Sequence, residues 1–165
     1  MNKSIILNNE KVQHKIKRIA YEIYESNIDE KEVILAGIQK NGYTLAQMLK
    51  DILTEISPIE VTLCAVIMDK KKPREIVETS IPAEEYKNKS LVLVDDVLNS
   101  GTTLIYAAKL FLEVPLKRFN TAVLVNRNHK KYPIKADFKG ISLSTSLQEH
   151  VSVEFKGKTA IAYLE

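Results

Sequence analysis

The sequence predicts an α/β fold with a central, mostly parallel sheet flanked by helices. Two observations carry that expectation. Apolar, β-branched segments at 33–38, 59–68, 91–94 and 119–125 alternate with segments of helical periodicity, the order that builds a parallel sheet with helical crossovers. Within the third segment, Leu91, Val92, Leu93 and Val94 are apolar without interruption, as a strand buried on both faces must be. At 165 residues the chain is long enough for one domain with a substantial core.

The elements follow in order. Val12, Ile16, Ile19, Ala20 and Ile23 recur at helical spacing behind Asn8 and Asn9, either of which suits an N-cap. Residues 33–38 read as the first core strand. Gly42 punctuates the chain, and Leu45, Ala46, Met48, Leu49 and Ile52 then trace a helix. A second strand covers 59–68. Residues 69–88 are polar, contain Pro73 and Pro82, and read as an excursion away from the central sheet. The motif strand at 91–94 leads to a helix at 104–112 and a strand at 119–125. Pro133 breaks the chain, and short strands near 138–141, 151–155 and 159–164 end it.

Composition narrows the function classes. The net charge of +3 permits anionic ligands without demanding nucleic acid. Cys64 is the only cysteine, so no intramolecular disulfide can form, and its apolar surroundings read as those of a buried thiol. No apolar stretch approaches the roughly 20 residues of a membrane span. The first residues lack the apolar region of a signal peptide, and a cytoplasmic protein is expected. His14 and His129 have no partners at metal-ligand spacing, which argues against a transition-metal site.

Most of the chemistry lies after the third core strand. The apolar run passes directly into Asp95 and Asp96, then into a loop of small residues, Asn99, Ser100, Gly101, Thr102 and Thr103. Ligands of open α/β sheets bind at the carboxyl ends of the strands. The loop offers backbone N–H groups, hydroxyls and a helix N-terminus, which suit a phosphate. The two acids would repel that phosphate; they suit sugar hydroxyls, a metal ion or a developing cation. Phosphate and sugar side by side point to a ribose 5-phosphate unit. The plainer alternative is an ordinary strand–loop–helix turn with a capping hydroxyl.

The arrangement resembles the type I phosphoribosyltransferases, whose signature is an apolar strand, two acids, two apolar residues and a Thr/Ser-Gly-x-Thr loop. The resemblance implies the type I phosphoribosyltransferase fold as a single domain over 1–165, with a small hood reduced here to 69–88. It implies phosphoribosyl pyrophosphate and a nucleobase as substrates, Mg2+ as cofactor, and a homodimer or larger homo-oligomer. Asp95 and Asp96 become the catalytic carboxylates, touching the ribose hydroxyls directly or through Mg2+. Asn99, Ser100, Gly101, Thr102 and Thr103 become the 5′-phosphate loop.

The turn from Gly37 to Thr44 has the glycine spacing of a nucleotide P-loop. Tyr43, however, stands where the phosphate-binding lysine must be, which discounts a nucleoside triphosphatase. Within the resemblance this turn is the pyrophosphate loop, built from Lys40, Asn41 and Gly42. Related enzymes commonly place a basic residue at the Asn41 position, and Lys40 is the substitute. Asp69 in the hood is a further pyrophosphate or metal contact, with the lysines that follow it as alternatives.

Beyond the fourth core strand the chain reads Asn126, Arg127, Asn128, His129, then Pro133-Ile-Lys-Ala-Asp137-Phe138-Lys139-Gly140. This stretch resembles the bifunctional pyrimidine-operon attenuator and uracil phosphoribosyltransferase branch. The likeness implies a base site of Asn126, Arg127, Phe138 and Lys139, with Phe138 stacking on the base and the backbone of Lys139 reading its edge. A core role for Phe138 in a short strand is the alternative. Purine enzymes carry an aspartate at the Asn99 position. Asn99 has no useful pKa and cannot act as a general base, which favours uracil. The branch also implies RNA as a partner. Lys11, Lys15 and Arg18 share one helix face, as in any solvated amphipathic helix, while Lys17 and Tyr21 replace the branch's threonine and histidine. The alternative function is a catalytically weak, nucleotide-binding or phosphoribosyl pyrophosphate-binding regulator, motivated by Asn41, Asn99, Asn126 and the short hood.

Overall fold

The computed structural model describes residues 3–165. Its main sheet has six strands in the order β4-β3-β2-β5-β6-β7, formed by β2 (Glu32–Ile38), β3 (Glu60–Ile67), β4 (Glu78–Thr79), β5 (Ser90–Leu98), β6 (Arg118–Arg127) and β7 (Phe138–Leu143). Every pairing in it is parallel except that of β4 with β3. A second, antiparallel sheet has the order β1-β9-β8, formed by β1 (Ser4–Leu7), β8 (Val151–Lys156) and β9 (Thr159–Leu164).

Two core clusters lie in this framework. One joins α1 (Asn9–Ser26) and α2 (Asn41–Ile56) to β2, β5 and β6, through Ile16, Ile19, Leu45 and Leu49 against Val33, Leu35, Val92 and Val94. The other joins α4 (Thr102–Phe111) and the short α3 (Ala83–Tyr86) to the sheet, through Phe111, Leu104 and Tyr86 against Ile34, Leu91 and Leu93. Leu91 to Val94 thus feed both clusters, and all four are fully buried. This is the physical reason for an unbroken apolar run in β5.

α1 buries the five residues its periodicity marks, and Asn8 is the cap: its Oδ1 accepts from the Lys11 N–H at 3.0 Å. Asn9 turns instead to the small sheet, where its Oδ1 accepts from the Ala160 N–H at 3.0 Å. Val151, Val153, Ala160 and Ala162 of that sheet complete the α1/α2 cluster.

Three elements differ from the sequence-based expectation. The motif strand does not stop at Val94, because β5 stays paired with β6 through Asp95, Val97 and Leu98. Ladder hydrogen bonds use backbone groups and are indifferent to side-chain charge, so the two acids lie within the strand. Residues 69–88 do not simply leave the sheet, since Glu78 and Thr79 pair with Ile67 and Val66 at its edge. Finally, β1 is an unanticipated strand; it is only four residues long and finds its partner at the far end of the chain. Among the described residues no helix is long and apolar enough to cross a membrane.

Candidate active site

The carboxyl ends of β2 and β5 meet the N-termini of α2 and α4, and the predicted acids lie between them. Gly42 sets the distance. A Cβ there would come within 2.5 Å of the Val94 carbonyl oxygen and 3.0 Å of the Asp95 Cα. Only glycine lets the first turn of α2 approach β5 this closely. The turn before it holds Lys40, exposed, and the peptide joining it to Gln39 is cis.

Asp95 is 2 % exposed and Asp96 9 %. Two side chains from other elements meet them. Lys70, from the segment after β3, donates from Nζ to Asp95 Oδ1 at 2.9 Å and lies 3.8 Å from Asp96 Oδ1. Asn41 donates from Nδ2 to Asp96 Oδ2 at 2.8 Å and to the Val153 carbonyl of β8 at 2.9 Å. The small sheet is thereby tied to the acids. Asp95 Oδ1 also accepts from the Asp96 N–H at 3.0 Å, and Asp96 Oδ1 from the Val97 N–H at 3.0 Å.

This environment shifts both partners of the ion pair. Burial raises the Asp95 carboxyl, the negative charge of Asp96 raises it further, and Lys70 offsets only part of this, leaving it at about 7. Burial alone would lower the Lys70 ammonium, but the two carboxylates more than reverse that and raise it above its ordinary value. The site is therefore a buried acid pair that holds an internal cation.

The 99–103 loop makes a tight turn into α4. Gly101 adopts φ +85°, a left-handed conformation natural to glycine, and a Cβ there would press on Ile134 at 2.8 Å. The N-cap of α4, Gly101, has no side chain to cap the helix; the Thr102 N–H donates to Ser100 Oγ at 3.3 Å, and the N–H groups that follow remain for an anion. The Ser100 and Thr102 hydroxyls are 2.8 Å apart, and the Ser100 carbonyl accepts from the Lys131 and Tyr132 N–H groups at 2.8 and 3.2 Å. A small pocket lined by Asp95, Asn99, Ser100, Gly101 and Thr103 joins the loop to Asp95.

Asp95, Asp96, Asn41, Gly42 and residues 99–103 therefore converge, while Lys40 adjoins them in the chain with an exposed side chain. The other predicted positions are disposed differently. Asp69 is exposed and turns its carboxylate back on its own segment, accepting from the Lys71 N–H at 2.9 Å. Asn126 donates to the Ser142 hydroxyl at 3.2 Å and leaves its buried Oδ1 without a hydrogen-bond partner. Arg127 is buried, and its guanidinium donates to Thr145 Oγ1 and to the carbonyls of Ser146 and Glu149. Phe138 is 7 % exposed and packs in the α1/α2 cluster. The Lys139 side chain is exposed, while the carbonyls of Lys139 and Gly140 accept from Arg18 at 3.0 and 2.6 Å. The Val153 carbonyl and the seat of Lys70 had no sequence signal of their own, beyond the lysines that follow Asp69.

Among the described residues, no group of three or more His, Cys, Asp or Glu side chains converges as a metal cage. Mg2+ asks for less, because it is commonly held by one or two carboxylates together with substrate phosphates. Asp95 and Asp96, oxygen donors beside a phosphate loop, fit that requirement.

A strand-borne acid pair beside a glycine-sharpened phosphate loop, on a parallel sheet, defines a phosphoribosyltransferase-type protein. Comparison bears this out: the phosphoribosyl transferase domain model matches residues 2–156, and the chain belongs to that family. Among relatives, it is 33 % identical over 163 residues to the bifunctional protein PyrR of Clostridium acetobutylicum, covering 94 % of this chain and 92 % of the relative. It is 36 % identical over 171 residues to that of Corynebacterium glutamicum, covering 94 % and 89 %. Among solved structures, the hypoxanthine phosphoribosyltransferase of Trypanosoma cruzi superposes with a TM-score of 0.76 at 14 % identity, covering 96 % of this chain and 95 % of that one. The hypoxanthine-guanine phosphoribosyltransferase hpt-2 of Bacillus anthracis gives 0.74 at 15 % identity, covering 96 % of each. At those identities the superpositions show the fold alone.

Proposed function

We propose that the protein transfers the ribose 5-phosphate unit of phosphoribosyl pyrophosphate to a nucleobase, with uracil the favoured acceptor, and releases pyrophosphate. The observation that carries this reading is the buried Asp95–Asp96 pair, of which Asp95 shares a small pocket with the 99–103 loop. The loop's N–H groups and hydroxyls hold the 5′-phosphate, and the carboxylates hold the ribose hydroxyls. The base nitrogen bonds to the sugar C1 while the bond from C1 to pyrophosphate breaks, and pyrophosphate takes the electron pair. The sugar becomes cation-like on the way. Two carboxylates in a dry site stabilise that charge more than they stabilise the neutral ground state, which lowers the barrier. Mg2+, when bound, neutralises the leaving pyrophosphate. Asn99 supplies no base, so the departing pyrophosphate is the basic group at hand for the acceptor's proton.

Uracil is supported by the likeness in 126–140 and by Asn99 in place of the purine enzymes' aspartate. The same contacts favour a second reading. Lys70 and Asn41 already satisfy the acids, as they would in a nucleotide-binding regulator with weak catalysis. Purified protein with phosphoribosyl pyrophosphate, Mg2+ and single bases separates the two. Pyrophosphate release with uracil supports the transferase, and tight binding without release for any base supports the regulator.

A further inference from the structure

We propose that Lys70 is a specificity-determining residue: its ammonium rests on Asp95 and Asp96 in the free site and moves to the pyrophosphate of an arriving donor, so that the site selects phosphoribosyl pyrophosphate over 5′-monophosphates with the same sugar. The inference rests on the phosphoribosyl reading above.

Lys70 reaches the acids from an exposed segment whose other polar contacts are largely its own. The Lys71 N–H donates to Asp69 Oδ1, the Lys72 N–H to the Asp69 carbonyl, and Lys72 pairs with Glu75. Among the described residues, Lys70 supplies the only salt bridges to Asp95 and Asp96. Its ammonium sits at the Oδ1 atoms of both acids, bonded to Asp95 and 3.8 Å from Asp96. A ribose diol that engages this face of the two acids has to displace it.

The consequence depends on the rest of the ligand. Ribose 5-phosphate offers the displaced ammonium no anion near the acids, so its binding carries the full cost of breaking the pair. Phosphoribosyl pyrophosphate carries its pyrophosphate on C1, one carbon from the 2′-hydroxyl. The Lys70 side chain is 39 % exposed, and its compact charge on a flexible stem needs only a short swing to exchange one anion for another. The broken contact is replaced for the donor and lost for the monophosphate. A lysine standing on the acids thus also disfavours retention of any product that has shed its pyrophosphate.

Calorimetric titration of the full chain with ribose 5-phosphate and with phosphoribosyl pyrophosphate, at fixed Mg2+ and without base, tests this. Lys70→Gln should tighten ribose 5-phosphate and weaken phosphoribosyl pyrophosphate. The ratio of the two dissociation constants should then collapse by about tenfold. Lys70→Arg, which keeps the charge, should retain most of the preference. Lys109→Gln, which removes an exposed charge from the last turn of α4, should leave the ratio in place. A ratio unmoved in Lys70→Gln, or equal weakening of both ligands, would overturn the inference and leave the phosphoribosyl reading standing. Binding of neither ligand by the wild type would overturn that reading, and the inference with it.

Discussion

Replacing Asp95 by Asn should make the protein's stability less sensitive to pH, in a direction opposite to that of most carboxylates. In the folded chain the Asp95 carboxyl is raised to about 7 by burial and by Asp96, against an ordinary value of 3.8. Between those two values the folded chain holds a proton that the unfolded chain gives up. Stability from this group is therefore fully present at low pH and declines as pH rises toward about 7. At pH 5, about two units below the folded value, Asp95 contributes about 3 kcal/mol relative to pH 8. Asn keeps the shape and cannot titrate. The stability of Asp95→Asn minus that of the wild type should therefore shift by about 3 kcal/mol in the variant's favour between pH 5 and pH 8. The chain has no tryptophan, so urea unfolding followed by far-ultraviolet circular dichroism is the suitable assay. A difference that stays constant between the two pH values would refute the reasoning.

Two further perturbations address the site. The double substitution Asp95→Asn, Asp96→Asn should abolish transfer while the circular dichroism spectrum and cooperative unfolding persist; wild-type turnover in that variant would rule the carboxylates out. Gly42→Ala should cost about 1–3 kcal/mol in denaturant unfolding, because its Cβ meets the Val94 backbone oxygen at 2.5 Å, and it should also depress turnover by pushing α2 away from the acids. Unchanged stability would mean that the turn shifts freely.

The fold and the centre of the site were legible because their signals are local. Leu91 to Val94 need two buried faces, Val12 to Ile23 need one, and Gly42 and Gly101 each serve a close approach that no larger residue permits. What could not be read depends on partners distant in the chain. Asn41 meets Val153 across 112 positions, and Asn9 meets Ala160 across 151. The four residues of β1 carry too little pattern to announce a strand whose partner is β9. Lys70 illustrates the same limit on the chemical side. Three consecutive lysines mark positive charge near the hood, but only the folded chain distinguishes the one seated on the acids from Lys72, which pairs with Glu75. The resemblance places Arg127 in the base site, whereas in this structure its guanidinium donates to Thr145, Ser146 and Glu149.

The most direct test of the proposed function is pyrophosphate release from phosphoribosyl pyrophosphate and Mg2+, with uracil, hypoxanthine, guanine, adenine, xanthine and orotate offered one at a time. Release with uracil, well above that with the other five, is the predicted result. No release with any base, together with no binding of phosphoribosyl pyrophosphate, would contradict it.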